Sequence, residues 1–261
     1  MELTVLGCWA PYPRAGGACS GYLIRDGGVN VLLEAGNGAL SRMMEHIDFC
    51  ALDAVVVTHF HPDHYLDLFP LRHALEGARR EGKRADPLPL YAPAEPAEVF
   101  AKIAGYDRAF AAVPVESLPG ERVKEGLTVR RAAIGGLGFQ FAPARHPLPA
   151  YSVSVTGTGR LVYSGDTART PALAAFAAGA GLFLCEASGM DGDAEYLADS
   201  HLTAREAGEL AREAGVRRLI ITHFWPGYDP LELSRLAAAG FGKDVEAARE
   251  GETYELYDEA R

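Results

Sequence analysis

The chain has 261 residues, is 48% hydrophobic and 23% charged, and carries a formal net charge of −10. That composition supplies a sizeable buried core. It disfavours broad binding to nucleic acid or to an anionic membrane, because both reward clustered Lys and Arg. The opening run Met1-Glu2-Leu3-Thr4-Val5-Leu6-Gly7 lacks the basic-then-apolar pattern of a signal peptide, and no apolar run is long enough to span a bilayer. The expectation is a cytoplasmic protein with no membrane partner. Cys8, Cys19, Cys50 and Cys185 are scattered, form no C-x-x-C pair and read as free thiols.

In chain order, Leu3 to Leu6 reads as a strand and Gly7 to Gly17 as a Gly/Pro-rich loop. Gly21 to Leu33 reads as a hairpin turning at Asp26-Gly27-Gly28. Leu40 to Ile47 reads as a helix. Ala54 to Val57 is a short, uniformly apolar strand of the kind buried on both faces. A helix from Leu66 to Glu81 should break at Lys83 to Pro89. Strand patterns recur at Leu88–Ala92, Leu127–Ile134, Phe139–Ala142, Tyr151–Thr156, Arg160–Tyr163 and Leu182–Cys185. Thr203 and Glu206 form a capping box for a helix to Ala214, whose face is Ala207, Leu210, Ala211 and Ala214, and Gly215 ends it. The strand Val216–Ile221 follows. No linker divides the chain, so residues 1–261 are expected to form a single domain.

The chemistry concentrates at Thr58-His59-Phe60-His61-Pro62-Asp63-His64. Residues two apart in an extended segment point the same way, so His59 and His61 can grip one ion. Asp63 and His64 follow a proline that bends the chain, and they can grip a second. Two metals roughly 3.5–4 Å apart can polarise an ester or phosphate together. The plain alternative, a polar loop that happens to be rich in histidine, does not account for the strand that delivers it or for the candidates downstream. His146 follows a strand pattern, Asp166 sits in Ser164-Gly165-Asp166, His201 precedes a helix, and His223 closes Leu219 to Ile221. Val55 to Pro62 also echoes Leu219 to Pro226, each strand delivering Thr-His-Phe, as two related halves feeding one site would. His46 and His73 lie on helix patterns without partners and read as surface or packing residues.

These motifs resemble the metallo-β-lactamase-fold hydrolase superfamily over essentially the whole chain. Within it the chain is most similar to the branch of the tRNA 3′-processing endonuclease, tRNase Z, and its phosphodiesterase relatives. The resemblance implies an α/β fold, a four-layer αββα sandwich of two mixed β-sheets with the site at one edge. It implies His59, His61 and His146 on a first metal, Asp63, His64 and His223 on a second, and Asp166 bridging them. Imidazole and carboxylate ligands suit zinc first, with manganese or iron as alternatives. Leu184-Cys185-Glu186-Ala187-Ser188 resembles the His-Glu-Ala-Thr segment of the tRNA-processing enzymes, and His201-Leu202-Thr203 resembles their His-Ser-Thr segment. By that likeness Glu186 and His201 join Asp63 as catalytic residues, with His201 protonating the leaving group. Cys185 and Glu34 depart from the family pattern, standing where His and Asp are usual. Glu34 is expected to support the metal loop.

The resemblance also places a tRNA-gripping arm between the His146 and Asp166 motifs, where this chain has only the nineteen residues 147–165 with a hairpin turn at Gly157-Thr158-Gly159. The missing arm and the net charge of −10 argue against tRNA as substrate. The expected activity is hydrolysis of a small or cyclic phosphodiester by a hydroxide shared between two metals. The alternatives are a lactone or thioester hydrolase, the tRNA endonuclease itself, and an iron-dependent sulfur oxygenase. Trp9, Tyr12 and Arg14 in the Gly7–Gly17 loop are candidates to contact substrate, Arg14 a phosphate and the aromatics a base or sugar. Phe60, Tyr65 and Trp225 flank ligands and are expected to wall the site. Members of the superfamily often pair as homodimers.

Overall fold

Strand side chains alternate between two cores, as period two requires. Leu3 and Val5 of β1 (Glu2–Gly7), Tyr22 and Ile24 of β2 (Gly21–Asp26), Val31 and Leu33 of β3 (Val29–Leu33), and Ala54 and Val56 of β4 (Ala54–Val56) enter one core. Leu6, Leu23, Leu32 and Val55 enter the other. The computed structural model describes residues 1–123 and 127–257. Within them, β5 (Leu88–Ala92), β6 (Phe110–Pro114) and β15 (Thr253–Glu255) complete a seven-stranded sheet in the order β15-β1-β2-β3-β4-β5-β6. Its strands run parallel from β3 to β6 and antiparallel elsewhere.

The second sheet has eight strands. They are β7 (Gly120–Arg122), β8 (Thr128–Ile134), β9 (Leu137–Pro143), β10 (Tyr151–Thr156), β11 (Arg160–Tyr163), β12 (Leu182–Glu186), β13 (Arg218–Thr222) and β14 (Glu246–Ala247), neighbours in sequence order. They pair antiparallel from β7 to β11 and parallel from β11 to β14. Phe139, Phe141, Val153 and Val155 of this sheet share a core with Leu3, Ile24 and Val31 of the first. Outside the first sheet lie α1 (Ala39–Met43), α2 (Pro62–Tyr65), α3 (Leu68–Arg80) and α4 (Ala97–Ala104). Leu68, Leu71, Leu75 and Ala78 make the buried stripe of α3. Outside the second sheet lie α5 (Pro171–Ala177), α6 (Ala194–Leu197), α7 (Ala204–Ala214) and α8 (Pro230–Phe241). The result is the αββα sandwich of two mixed sheets.

Several boundaries differ from the sequence reading. The helix expected from Leu66 to Glu81 is two helices, because Pro62 starts α2 inside the metal-ligand loop and α3 begins only at Leu68. Asp67, between them, accepts Leu40 N at 2.8 Å and does not cap α3. The first helix ends at Met43, short of Ile47. The strand expected from Val216 begins at Arg218, since Val216 N still bonds Ala211 O at the exit of α7. The hairpin turn is as read, with Gly27 and Gly28 at φ 58° and 87°. The capping box of α7 forms, and Gly215 ends that helix in the left-handed region. The four cysteines are free.

Helices α7 and α8 approach closely because Gly208 has no side chain. A Cβ there would sit 2.0 Å from Ala237 O. Gly208→Ala should force the helices apart and cost about 1–3 kcal/mol, the usual range for overpacking. A thermal melt should show a drop of several degrees, and an unchanged Tm would mean that the contact is looser than described.

Candidate metal centre

Five strand ends meet at one edge of the sandwich. Glu34 follows β3, His59 lies just beyond β4, Asp166 follows β11, Glu186 is the last residue of β12, and His223 follows β13. All five leave the parallel part of a sheet at its carboxyl end, where loops are free to converge. The Thr-His-Phe echo corresponds to β4 and β13, one from each sheet. Gly165, at φ 59°, lets the chain turn to present Asp166, and a Cβ there would meet Tyr151 O at 2.6 Å. Glu34 and His223 are the two non-glycine residues with positive φ among those described, at 63° and 62°. Strained backbone of this kind tends to gather at functional sites.

The predicted ligands come together in two adjoining groups. His61 Nδ1 lies 3.0 Å from both His59 Nε2 and His146 Nε2. His64 Nε2 and His223 Nε2 are 3.3 Å apart, and Asp63 Oδ2 lies 3.5 Å from each. Asp166 stands between the groups, with Oδ2 3.5 Å from His59 Nε2 and Oδ1 3.2 Å from His223 Nε2 and 3.4 Å from His64 Nε2. His59, His64 and Asp166 are almost wholly removed from solvent.

Hydrogen bonds fix the rings of His59, His146 and His223, and a carboxylate contact fixes that of His64. Thr58 donates its hydroxyl to Glu34 Oε1, so its oxygen, 3.1 Å from His59 Nδ1, accepts from that nitrogen. His146 Nδ1 donates to Ser200 O at 2.9 Å. Ser188 donates to Glu186 Oε2 at 2.6 Å, which leaves its oxygen to accept from His223 Nδ1 at 2.9 Å. Glu34 Oε1 lies 3.3 Å from His64 Nδ1. In His59, His64, His146 and His223 it is Nε2 that faces the centre, and in His61 it is Nδ1, each a ring nitrogen of the kind that ligates metals. Thr58, Ser188 and Ser200 carry this alignment. Only Thr58, directly before His59, had a sequence signal, because the Ser188 hydroxyl and the Ser200 carbonyl meet histidines distant in the chain.

Electrostatics divide the two groups. Burial holds His59, His61 and His146 below the ordinary histidine pKa, so all three are neutral and ready to ligate. Burial acts the same way on His64 and His223 but is overcome by Asp166, Asp63 and Glu34 around His64 and by Asp166 and Asp63 around His223. His64 rises well above its usual value, and His223 to about 10. Burial would raise Asp166, but His223, His64 and His59 hold it well below the carboxylate range. The buried imidazoles and carboxylates, crowded at 3.0–3.5 Å with Asp166 Oδ1 accepting no aligned hydrogen bond among the described residues, suit divalent cations. Nitrogens spaced this way can share a cation about 2 Å from each.

Ligation by the raised pair would make metal binding proton-linked. Without metal, protonated His223 stabilises the fold fully below pH 6.5, and that contribution fades as pH rises through about 10. A cation held by His64 and His223 would have to displace their protons, so its affinity should rise with pH and its binding should release protons at neutral pH. Calorimetric metal titrations in buffers of different ionisation enthalpy should read this release. Heats independent of buffer would refute it.

Glu186 is held by Thr167 N at 2.7 Å and by Ser188, and both its oxygens lie 3.2 Å from His201 Nδ1. Burial lowers the His201 pKa, but Glu186 more than offsets this and holds it above the ordinary value. A cavity of about 700 Å³ opens onto His61, Asp63, Asp166, His201 and His223. Trp225 lines it as expected. Phe60 and Tyr65 do not: they pack edge to face at 5.3 Å in the core beneath α1 and α3. Trp9, Tyr12 and Arg14 are also outside the lining, although their neighbours Ala10 and Pro11 belong to it. Arg14 donates to Pro226 O and Tyr228 O and stacks over Trp9 at 4.2 Å, which ties down the loop. His46 joins no ligand group, and His73 contacts only Arg72 among the described residues.

Two mixed sheets with a histidine–carboxylate centre at their shared edge define the metallo-β-lactamase class of fold. Residues 29–224 match the sequence profile of the Beta-lactamase superfamily domain, and the chain belongs to that family. It is 29% identical over 259 residues to the "Probable metallo-hydrolase YhfI" of Bacillus subtilis (strain 168), covering 98% of this chain and 100% of that one. The crystal structure of YhfI superposes with a TM-score of 0.88 at 27% identity, covering 97% and 98% of the two chains. A "Ribonuclease Z" of Myxococcus xanthus (strain DK1622) is 28% identical over 307 residues, covering 98% of each chain. A diphosphatase from the PhnP family shares the fold with a TM-score of 0.70 at 20% identity, covering 98% of each chain. Among the described residues no helix is long and apolar enough to cross a membrane.

Proposed function

We propose that this metal-dependent hydrolase cleaves a small or cyclic phosphodiester. The observation that carries the reading is the Glu186–His201 pair, placed beside a double group of metal-ligating side chains and open to the same cavity. A departing alkoxide needs such an acid, whereas the thiolate of a thioester does not. We assign His59, His61 and His146 to one divalent ion, Asp63, His64 and His223 to a second, and Asp166 to both. Zinc is the first choice, with manganese or iron(II) as alternatives. When bound, the metals lower the pKa of water towards neutrality and offset charge on the phosphoryl oxygens.

The protein's own groups do the rest. Glu34, Thr58, Ser188 and Ser200 orient the imidazoles. Glu186 fixes the His201 ring and favours its protonated form, which can pass a proton to the leaving oxygen. The short hairpin of β10 and β11 and the net charge of −10 argue against tRNA as the substrate, although a relative is named ribonuclease Z.

The test is turnover of bis(p-nitrophenyl) phosphate by protein loaded separately with zinc and with manganese, beside a simple lactone and a thioester. Diester hydrolysis is expected to dominate. Lactone or thioester turnover without it would make this an acyl hydrolase.

A further inference from the structure

The cavity has a second wall that the metal ligands do not use. Asp193, Tyr196, Trp225 and Tyr228 line it. Asp193 Oδ2 is fixed by Met190 N and by the Tyr228 hydroxyl, both donating at 2.7 Å. Asp193 Oδ1 accepts no hydrogen bond among the described residues and is available to a ligand. Trp225 is 44% exposed, braced edge-on by Tyr12 at a ring separation of 5.7 Å, and Tyr196 is 89% exposed. No Lys or Arg lines the cavity. The nearby Arg14 spends its guanidinium on two backbone carbonyls of the Trp225–Tyr228 turn.

From this wall, and resting on the phosphodiesterase reading, we infer that the cavity selects a singly charged diester whose alcohol arm donates to a carboxylate. The arm is either an alkylammonium or a hydroxyl-bearing polyol or sugar, and an arm carrying a further phosphate is excluded. Asp193 is the specificity-determining residue. A fixed carboxylate accepts charge-assisted bonds from an ammonium and ordinary ones from hydroxyls. The faces of Trp225 and Tyr228 add attraction for a cation. A second phosphate meets the Asp193 charge with no cationic side chain to compensate it, which is selection by repulsion.

The experiment uses metal-loaded protein and p-nitrophenyl diesters that differ only in the second arm: methyl, choline, glyceryl, or an alkyl chain ending in phosphate. In each, water's oxygen joins phosphorus, the P–O bond to the nitrophenyl group breaks and p-nitrophenolate departs. The choline or glyceryl arm should exceed methyl in kcat/KM by about tenfold, the scale of one hydrogen bond to a charged group. The phosphate arm should fall below methyl by a similar factor. Asp193→Asn should collapse these ratios towards one. Trp225→Leu should weaken the choline arm more than the glyceryl arm if the cation is the better ligand. Equal rates for all arms, or a phosphate arm that is best, would overturn the inference. If no diester is turned over, the phosphodiesterase reading fails separately. The wall is then read by tryptophan fluorescence during titration with phosphocholine, glycerol 1-phosphate and methyl phosphate. A preference lost in Asp193→Asn upholds the subsite, and equal affinities refute it.

Discussion

Asp166→Ala should abolish turnover, by on the order of 10³-fold or more, and should strip metal from the protein. The rate estimate follows the scale for losing a preorganised electrostatic group. Asp166 is the carboxylate whose two oxygens face different histidine groups, Oδ2 towards His59 and Oδ1 towards His64 and His223. Its removal takes a charge from both groups at once. In the metal-free protein it also leaves two raised, buried imidazoles with less to pair with. Breaking a buried charge pair from one side costs about 3–5 kcal/mol. Both imidazoles should then lose protons more readily, so the variant's metal-free fold should show less of the stability that wild type loses as pH rises. Asp166→Asn separates shape from charge: it should keep the packing and still lose metal. Metal per chain by elemental analysis, with diester turnover beside it, is the measurement. A variant that keeps both metals and its rate would remove Asp166 from the centre.

How much of this centre was legible depended on how far apart its parts lie in the chain. His59, His61, Asp63 and His64 are contiguous, and alternation plus one proline is enough to aim them. His223 was visible through the repeated strand-Thr-His-Phe pattern. Asp166 was visible through the glycine that turns its strand end. The supporting Ser188 hydroxyl and Ser200 carbonyl were not visible, because each meets a histidine brought in by the fold; Ser200 O and His146 are 54 positions apart. Arg14 misled for the same reason, since the carbonyls that capture it lie 212 and 214 positions away. An arginine in a Pro-rich loop reads as available until its partners arrive. The Asp193–Tyr228 wall escaped notice because neither residue flanks a ligand. Among the elements, strands with alternating or uniform apolar runs were clear. α5 and α8 were not, because their alanine-rich sequences give only a weak contrast between faces; α4 was missed although its faces differ as clearly as those of α3. The helix before α3 was obscured by an ordinary amphipathic pattern running into the loop where Pro62 starts a short helix of its own.

His201→Ala should keep its metals and lose rate in proportion to how poor the leaving group is. The reason lies in where the ring sits. His201 Nδ1 is held by both oxygens of Glu186 at 3.2 Å and stands 3.9 Å from Asp166 Oδ2, next to the ligand groups yet tied to a carboxylate outside them. The residue lines the cavity. An alkyl diester expels an alkoxide that needs a proton, so the loss there should be about 10²–10⁴-fold, the range for removing a general acid. p-Nitrophenolate departs without that help, so bis(p-nitrophenyl) phosphate should be far less affected. Glu186→Gln should act through the same ring. The carboxylate raises the His201 pKa, so its loss lowers that pKa, and the alkaline limb of the rate profile should move to lower pH. A structural role for Glu186 would depress the rate at every pH and leave the limb in place. Two results would sink the assignment: metal lost from His201→Ala, or equal losses on good and poor leaving groups. The first would make His201 a ligand, which its 3.9 Å approach to Asp166 and its grouping with Asp166 and His223 leave geometrically open. The fixed pairing with Glu186 favours the acid, because a ring nitrogen that donates to a carboxylate has no lone pair left on that side to give to a metal.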